Sequence, residues 1–297
     1  MRIVTRPDFD GVVCAVLLQD VETITEPIKW VEPGDLQKGV VEIHAGDIIA
    51  NLPHDRRCAL WFDHHFTNRI ETPFAGYYRE APSAARVIYD FYAGRFPENR
   101  RELVAAADKI DAADLSLDEV LQPEKYDCVL LSMTIVNQDE PDEPYWNHLV
   151  ALLHHSDIRL VLSDPVVRRR CERIVAENRV YRKCLEAHTR VRGQVAVTDF
   201  RSLEKAPTGN RFLVYSLFPE TFAHVRIRCE ARNPDMIAVN VGHSIFNRKC
   251  RVNVGLLLSR FGGGGHPGAG ACRFHVSKAE AYLPQIIAAL IKNDPLE

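Results

Sequence analysis

The sequence lacks any long hydrophobic run. No stretch approaches 18 consecutive apolar residues, and the opening MRIVTRPDFD runs directly into charged residues instead of the apolar core of a signal peptide. Neither membrane insertion nor export is indicated. We therefore expect a cytoplasmic protein that does not bind a membrane.

Closely spaced cysteine pairs are also absent. The eight cysteines are scattered and no C-x-x-C pair occurs, which argues against a zinc knuckle and against a disulfide framework. We expect buried free thiols in a reducing compartment.

A strong excess of one charge is lacking too. The formal net charge is −3, so the chain does not have the basic surface with which proteins coat long nucleic acid. Residues 165–192 nevertheless hold nine Lys or Arg against three Glu. This predicted basic helix is either a solvated face or a contact for a short polyanion. The expected partners are a small nucleotide, a short oligonucleotide or polyphosphate, and not long duplex nucleic acid.

The first half of the chain alternates short apolar runs with helix-like segments. Strands are predicted at 2–5, 42–44 and 58–62, and helices at 12–18 and 82–94. This alternation is typical of an α/β fold with a parallel sheet.

The whole chain is long enough for two domains, since it has 297 residues, of which 46% are apolar. After Gly193 the sequence contains several short runs typical of β-strands, such as residues 211–218. This pattern indicates a smaller mixed α/β domain. The acidic segment 139–144, DEPDEP, is expected to be a surface loop. We predict a first domain over 1–163, a basic helical linker over 164–193 and a second domain over 194–297.

Acidic and histidine residues follow the predicted strands of the first domain. In parallel sheets, ligands bind beyond the carboxyl ends of the strands, where Asp8, Asp10, Asp47 and Asp63 are all expected. Asp63 continues into His64 and His65, and a set of carboxylates with imidazole fits Mn²⁺ better than Ca²⁺ or zinc thiolate chemistry. D-x-D by itself is more often a helix cap than a metal site, so the metal interpretation depends on both motifs together.

Three further carboxylates, Asp108, Asp111 and Asp114, lie in AAADKIDAADL. So many acids at one sheet edge would repel one another without cations. Two divalent ions roughly 3.5–4 Å apart would neutralise them and activate a water for in-line attack on phosphorus.

A glycine-rich segment, RFGGGGHPGAGAC, spans residues 260–272. Successive glycines can turn backbone N–H groups onto an anion, and His266 can add a charged hydrogen bond. A merely flexible turn is the alternative.

With D-x-D-G, DHH and GGGGHPGAGA in this order, the chain resembles the DHH phosphoesterase superfamily with its DHH-associated C-terminal domain, over nearly its whole length. The similar branch contains RecJ-type exonucleases, nanoRNase/pAp phosphatases, cyclic-dinucleotide phosphodiesterases and exopolyphosphatase-related proteins. The implied fold is a parallel-sheet DHH domain joined by a linker to a smaller α/β domain. A homodimer is plausible for the family.

The resemblance also implies roles for individual residues. The metal ligands, for one or two Mn²⁺ or Mg²⁺ ions, are expected to be Asp8, Asp10, Asp47, Asp63, His64 and Asp111, with Asp47 as the bridging aspartate and Asp111 chosen over Asp108 and Asp114. His65 is expected near the scissile phosphate, where it stabilises charge. The residues expected to bind substrate are Arg248, Gly263, Gly264, Gly265 and His266.

One departure from the family pattern is Arg6, which stands just before D-x-D where the family usually has a histidine. A guanidinium has no lone pair to give to a metal, but it can clamp a phosphate at the catalytic site. The preferred function is a metal-dependent phosphodiesterase or phosphatase that acts on small nucleotides or oligonucleotides. The alternatives are an inorganic exopolyphosphatase and a nucleotide-binding regulatory protein that has lost turnover.

Overall fold

The structure, a computed structural model, describes residues 1–136, 141–230 and 233–295. It contains two compact units, Met1–Leu115 with Gln122–Arg173, and Ser116–Leu121 with Ile174–Glu297. Asp139 and Glu140, from the predicted acidic loop, lie outside the described residues. Within the described part of the chain, no helix has both the length and the apolar character needed to cross a bilayer.

Twelve α-helices occur in the described residues, together with three short 3₁₀ turns at Phe66–Asn68, Pro123–Lys125 and Val276–Lys278. The helices are α1 Phe9–Val21, α2 Pro33–Gln37, α3 Ala84–Phe91, α4 Arg100–Asp111, α5 Leu117–Leu121, α6 Asp127–Met133, α7 Glu143–His155, α8 Ile158–Ser163, α9 Pro165–His188, α10 Leu213–Leu217, α11 Val254–Ser259 and α12 Ala279–Lys292.

The first unit is built on a five-stranded, fully parallel sheet, which confirms the predicted fold class. Its strands are β1 Arg2–Thr5, β2 Lys29–Trp30, β3 Asp47–Ala50, β4 Leu60–Asp63 and β5 Gly76–Tyr78. Their order is β2-β1-β3-β4-β5, so β2 pairs with one edge of β1, and the later strands β3, β4 and β5 lie on its other side. Such a switch point, here between β1 and β3, is where open α/β sheets place their ligands.

Helix α1 is the central helix of this unit. Its residues from Phe9 to Leu18 are all buried, because α3, α4 and α7 pack around it in addition to the sheet. A helix that is apolar on every side needs such full cover. The loop between β1 and α1 is therefore anchored at both ends by rigid elements.

The second unit has a six-stranded mixed sheet in the order β10-β11-β9-β8-β7-β6, in which only β7 and β8 are parallel. Side chains from α11 and α12 pack with this sheet in one hydrophobic core. The strands are β6 Thr189–Arg192, β7 Val195–Asp199, β8 Ala223–Glu230, β9 Asn233–His243, β10 Gly264–His266 and β11 Ala269–His275.

Two sequence-based strands were wrong. Residues 42–44 form no strand, and the strand in this region is β3, which starts at Asp47. Residues 213–217, inside the run predicted as β, form the short helix α10. A short apolar run that is buried on several sides has no periodicity that separates helix from strand. The first error affects the predicted site, because Asp47 was expected after the end of a strand and is instead the first residue of β3.

A substitution at Gly11 tests the close packing where β1 passes into α1. A Cβ at this position would lie 1.9 Å from the Arg6 carbonyl oxygen and 2.9 Å from Thr5 Oγ1. We expect Gly11→Ala to lower the free energy of unfolding by about 2–3 kcal/mol, because backbone must move to admit the methyl group. Urea unfolding measures this change.

Gly34→Ala is the matched control. A Cβ at Gly34, in α2, meets nothing within 4 Å. It should therefore be neutral or stabilise by up to ~1 kcal/mol. Equal effects of the two substitutions would contradict the packing argument.

Candidate metal centre

The loop after β1 brings Asp8 among hydrogen-bond donors. Its Oδ1 accepts from the Gly11 amide at 2.8 Å, which caps α1, and from Asn51 Nδ2 at 3.0 Å. Its Oδ2 lies 3.2 Å from Arg6 Nε. The D-x-D segment is thus a helix cap, and the same carboxylate also faces the carboxyl edge of the sheet.

Asp10 is buried in the first turn of α1, with 2% of its surface exposed. Its two oxygens accept hydrogen bonds from the backbone amides of Ala84 and Ala85, at 2.8 and 2.9 Å. These amides belong to the first turn of α3, where free N–H groups and the helix dipole favour an anion. Burial, with the charges of Asp111 and Asp8, nevertheless raises the pKa of Asp10 well above its usual range.

Strand β4 ends on Asp63, which is fully buried. His65 Nδ1 lies 2.8 Å from Asp63 Oδ1, and Asn68 Nδ2 donates to Asp63 Oδ2 at 2.7 Å. Burial works against the charged imidazole, but the hydrogen bond to Asp63 and the charge of that carboxylate raise the pKa of His65. An ionised carboxylate only accepts, so His65 keeps its proton on Nδ1.

His64 gives the strongest indication of a cation. Its Nδ1 lies 2.9 Å from the Ala81 carbonyl oxygen, and because a carbonyl can only accept, Nδ1 carries a proton and Nε2 is the ring nitrogen that could bind a metal. Nε2 lies 3.3 Å from Asp111 Oδ2 and 3.9 Å from Asp10 Oδ2. Nε2 is buried and has no hydrogen-bond partner.

Three groups that offer lone pairs therefore converge, and their ligand atoms lie within 4.8 Å of one another. Such an arrangement is repulsive until a positive charge sits between the groups. A mixed set of carboxylate and imidazole ligands fits Mn²⁺ or Mg²⁺. The described residues therefore have the chemistry of a divalent-metal site.

Asn51, which follows β3 directly, was not among the residues predicted from the sequence. It is buried and adopts φ of 58°, a left-handed conformation that asparagine tolerates. Its Nδ2 donates to Asp8, while its Oδ1 is buried without a hydrogen-bond partner. Asn51 could have been found as a polar residue immediately after a buried strand. That inference needs the correct position of β3, whose last residue is Ala50.

Asp47 does not lie at this edge, and its expected place there was wrong. It is the first residue of β3 and is paired in register with Arg2, at the amino end of β1. Its carboxylate accepts from Arg2 Nε at 2.9 Å and from Arg2 Nη2 at 2.7 Å. A buried carboxylate held by a bidentate guanidinium at the opposite end of the strand joins the strands and cannot bridge metals.

The three aspartates near the end of α4 point to different surroundings. Asp108 accepts from Ser83 Oγ at 2.6 Å and from Arg86 Nη2 at 2.6 Å, so its oxygens are held by donors on α3 and its cap. Asp114 is exposed beyond the helix. Asp111, the last residue of α4, faces His64. Ser83 and Arg86 thus act in capping and in an ion pair.

The glycine-rich segment of the second unit forms a hairpin of β10 and β11. Gly265 adopts φ of 147°, and a Cβ there would lie 2.4 Å from the Ala269 carbonyl oxygen, so the close pairing needs glycine. His266 is exposed, and Arg248 Nε donates to the Ile245 carbonyl at 3.1 Å. Substrate binding by Arg248 and the hairpin stays a prediction.

Comparison with known proteins places this geometry in a family. No family model matches the chain, and a search of curated proteins finds no match. Among solved structures, the pGpG-specific phosphodiesterase PggH from Vibrio cholerae is 33% identical, with a TM-score of 0.87 over 99% of both chains.

Two more distant structures share the fold. The DHH domain of a member of the S1p family of ribosomal proteins has a TM-score of 0.64 at 13% identity, covering 99% of this chain and 87% of that one. RecJ from Thermus thermophilus in complex with Mn²⁺ has a TM-score of 0.56 at 14% identity, covering 100% and 53%. The chain belongs to the DHH phosphoesterase superfamily, whose enzymes hydrolyse phosphate esters.

The pH dependence of metal binding tests the centre. Removal from water, opposed by Arg6, raises the pKa of Asp8 from 3.8 to about 6. Between about pH 4 and pH 6 the metal-free native chain therefore holds a proton that the unfolded chain has already lost, so this group lowers the stability as the pH rises through that range, and the loss is complete above about pH 6. A divalent ion at the neighbouring Asp10, His64 and Asp111 favours the ionised form of Asp8 and therefore competes with this proton.

We expect the increase in Tm caused by Mn²⁺ to be larger at pH 7.5 than at pH 5 by at least about 2–4 °C, the shift that ~1 kcal/mol produces in a domain of this size. Differential scanning calorimetry of the metal-stripped protein measures it. Asp114→Asn, which alters an exposed acid, should behave like wild type. Equal shifts at both pH values would contradict the assignment.

Proposed function

We propose that the chain is a divalent-metal-dependent phosphodiesterase that hydrolyses short linear nucleotides, with a dinucleotide such as pGpG as the first substrate to test. The observation behind this proposal is the buried, unpartnered Nε2 of His64, which faces Asp10 and Asp111. The full-length similarity to PggH supports the choice of a dinucleotide.

The residues that would hold the ion are first of all Asp10, His64 and Asp111. Asp63 and Asp8 complete the acidic edge, and both already accept hydrogen bonds from the protein. When bound, the metal polarises the phosphate and makes a water more acidic at neutral pH.

His65 is suited to stabilise negative charge at phosphorus. Asp63 fixes the orientation of its ring through Nδ1, which leaves Nε2 for a phosphate oxygen. The raised pKa keeps the ring protonated to a higher pH, so Nε2 can donate a charged hydrogen bond. About one third of the side chain is exposed, which gives a ligand access.

A small substrate agrees with the charge of the chain. Affinity for long nucleic acid grows with the number of phosphates that basic residues neutralise, and a protein of net charge −3 offers few. The residues proposed to bind the rest of the substrate are Arg248, Gly263, Gly264, Gly265 and His266.

A substrate panel tests the reaction class. We expect Mn²⁺-dependent release of mononucleotides from pGpG, and slower hydrolysis of pAp, a short RNA oligomer and polyphosphate. Asp63→Asn should lower kcat/KM by at least about 100-fold, because it removes the charge that orients His65 and lies beside the metal ligands. Product chromatography measures these rates, with Asp114→Asn as the control.

Two results would overturn the proposal in different ways. Fastest turnover of polyphosphate would identify an exopolyphosphatase. Binding of pGpG without any hydrolysis, with Asp63→Asn equal to wild type, would identify a nucleotide-binding protein without turnover.

His65 separates chemistry from metal binding. We expect His65→Gln to lower kcat by about 100-fold or more, within the range for removal of a positioned proton donor. The increase in Tm caused by Mn²⁺ should remain, because the proposed ligands Asp10, His64 and Asp111 are unchanged. Loss of both together would place His65 among the metal ligands instead.

A further inference from the structure

The candidate metal centre has two chemically different halves. In the first, which we call the Asp8 half, every described contact of the carboxylate is with an N–H donor: Arg6 Nε, the Gly11 amide and Asn51 Nδ2. In the second, the His64 half, His64 Nε2 faces carboxylate oxygens of Asp10 and Asp111 and has no hydrogen-bond partner.

The Asp8 half already contains a cation. The Arg6 guanidinium lies against Asp8, and Glu32 Oε2 is 4.0 Å from the same Nε, so two acids hold the side chain. A guanidinium stays protonated and offers no lone pair, so Arg6 cannot bind a metal. The Asn51 amide turns its nitrogen towards Asp8 and is likewise a donor there.

The His64 half has the opposite property. The His64 side chain is only 9% exposed, and its Nε2 faces two carboxylates but has no hydrogen-bond partner. Carboxylates and a ring nitrogen that converge in a largely buried site attract a cation, because the cation offsets the repulsion between them. Of the two halves, it is therefore the His64 half that can accept a cation from outside the protein.

We propose that the chain binds a single divalent cation, at Asp10, His64 and Asp111, and that the Arg6 guanidinium is a second, permanent positive charge built into the site. One divalent ion with Arg6 offsets three of the four carboxylate charges of Asp8, Asp10, Asp63 and Asp111. A second divalent ion would bring excess positive charge next to Arg6. This inference rests on the proposed metal-dependent function and specifies the composition of its site.

Metal stoichiometry tests the inference without any activity measurement. The full chain is stripped with chelator and titrated with Mn²⁺ at pH 7.5 by isothermal titration calorimetry, and bound metal per chain is measured by elemental analysis after gel filtration. We expect one ion per chain and a single binding step. Two ions per chain would overturn the inference and leave the proposed function intact, whereas no bound ion would overturn the proposed function itself.

The double variant Arg6→His with Asn51→Asp converts the Asp8 half. It removes the guanidinium and places an imidazole and a second carboxylate beside Asp8, so lone pairs replace donors. We expect the bound Mn²⁺ to rise from one to two ions per chain. A folded double variant that still binds one ion would contradict the role assigned to Arg6 and Asn51.

Two single variants complete the test. Arg6→Lys keeps the charge and should keep one ion. Arg57→Met removes an arginine that pairs with Asp55 two positions away, as Arg6 does with Asp8, but outside the centre; it should also bind one ion. A change in stoichiometry for Arg57→Met would show that loss of any such pair suffices, and would remove the support for Arg6.

Discussion

Repulsion among carboxylates at the end of the parallel sheet is the constraint on which the rest of the site depends. Asp10 and Asp63 are almost completely buried there, and Asp8 and Asp111 lie beside them. Each of three carboxylates has its own stabilising contacts. Asp10 accepts hydrogen bonds from the first turn of α3, Asp63 contacts Asn68 and His65, and Asp8 lies beside Arg6. Around His64, the proposed divalent ion would offset the charges of Asp10 and Asp111.

The fold supplies this arrangement through strand order. Since β1 and β3 are neighbours whose following segments diverge, the residues after them line one crevice, which places Asn51 against Asp8. Fully buried packing of α1 holds Asp10 in position against α3. Gly11 lets the chain pass from strand to helix within a few residues, so that both acids of D-x-D stay at the sheet edge.

Membership of the DHH superfamily defines the reaction class, while two residues of this chain give one side of the site its chemical character. Arg6 and Asn51 both contact Asp8 and both present donors to it. Arg6 and Asn51 lie on the Asp8 side of the centre. They therefore do not separate Asp10, His64 and Asp111, which remain close enough to share an ion. The positive charge of Arg6 differs from that of a bound metal ion in one respect that matters for phosphate chemistry. The guanidinium is part of the chain and cannot dissociate from the site.

The sequence by itself determined the parallel α/β class, the strand before D-x-D and the strand that ends in Asp63, because alternating apolar runs and local motifs depend on nearby residues alone. Only the tertiary structure decided which other residues join them. Asp47 and Asn51 are the two ends of the same short strand, and its pairing with β1, 45 residues away in the case of Arg2 and Asp47, fixes which end faces the site. Similarly, the packing of α4 turns Asp108 to Arg86 and Asp111 to His64. Register and helix rotation arise from long-range packing, and no local pattern contains them.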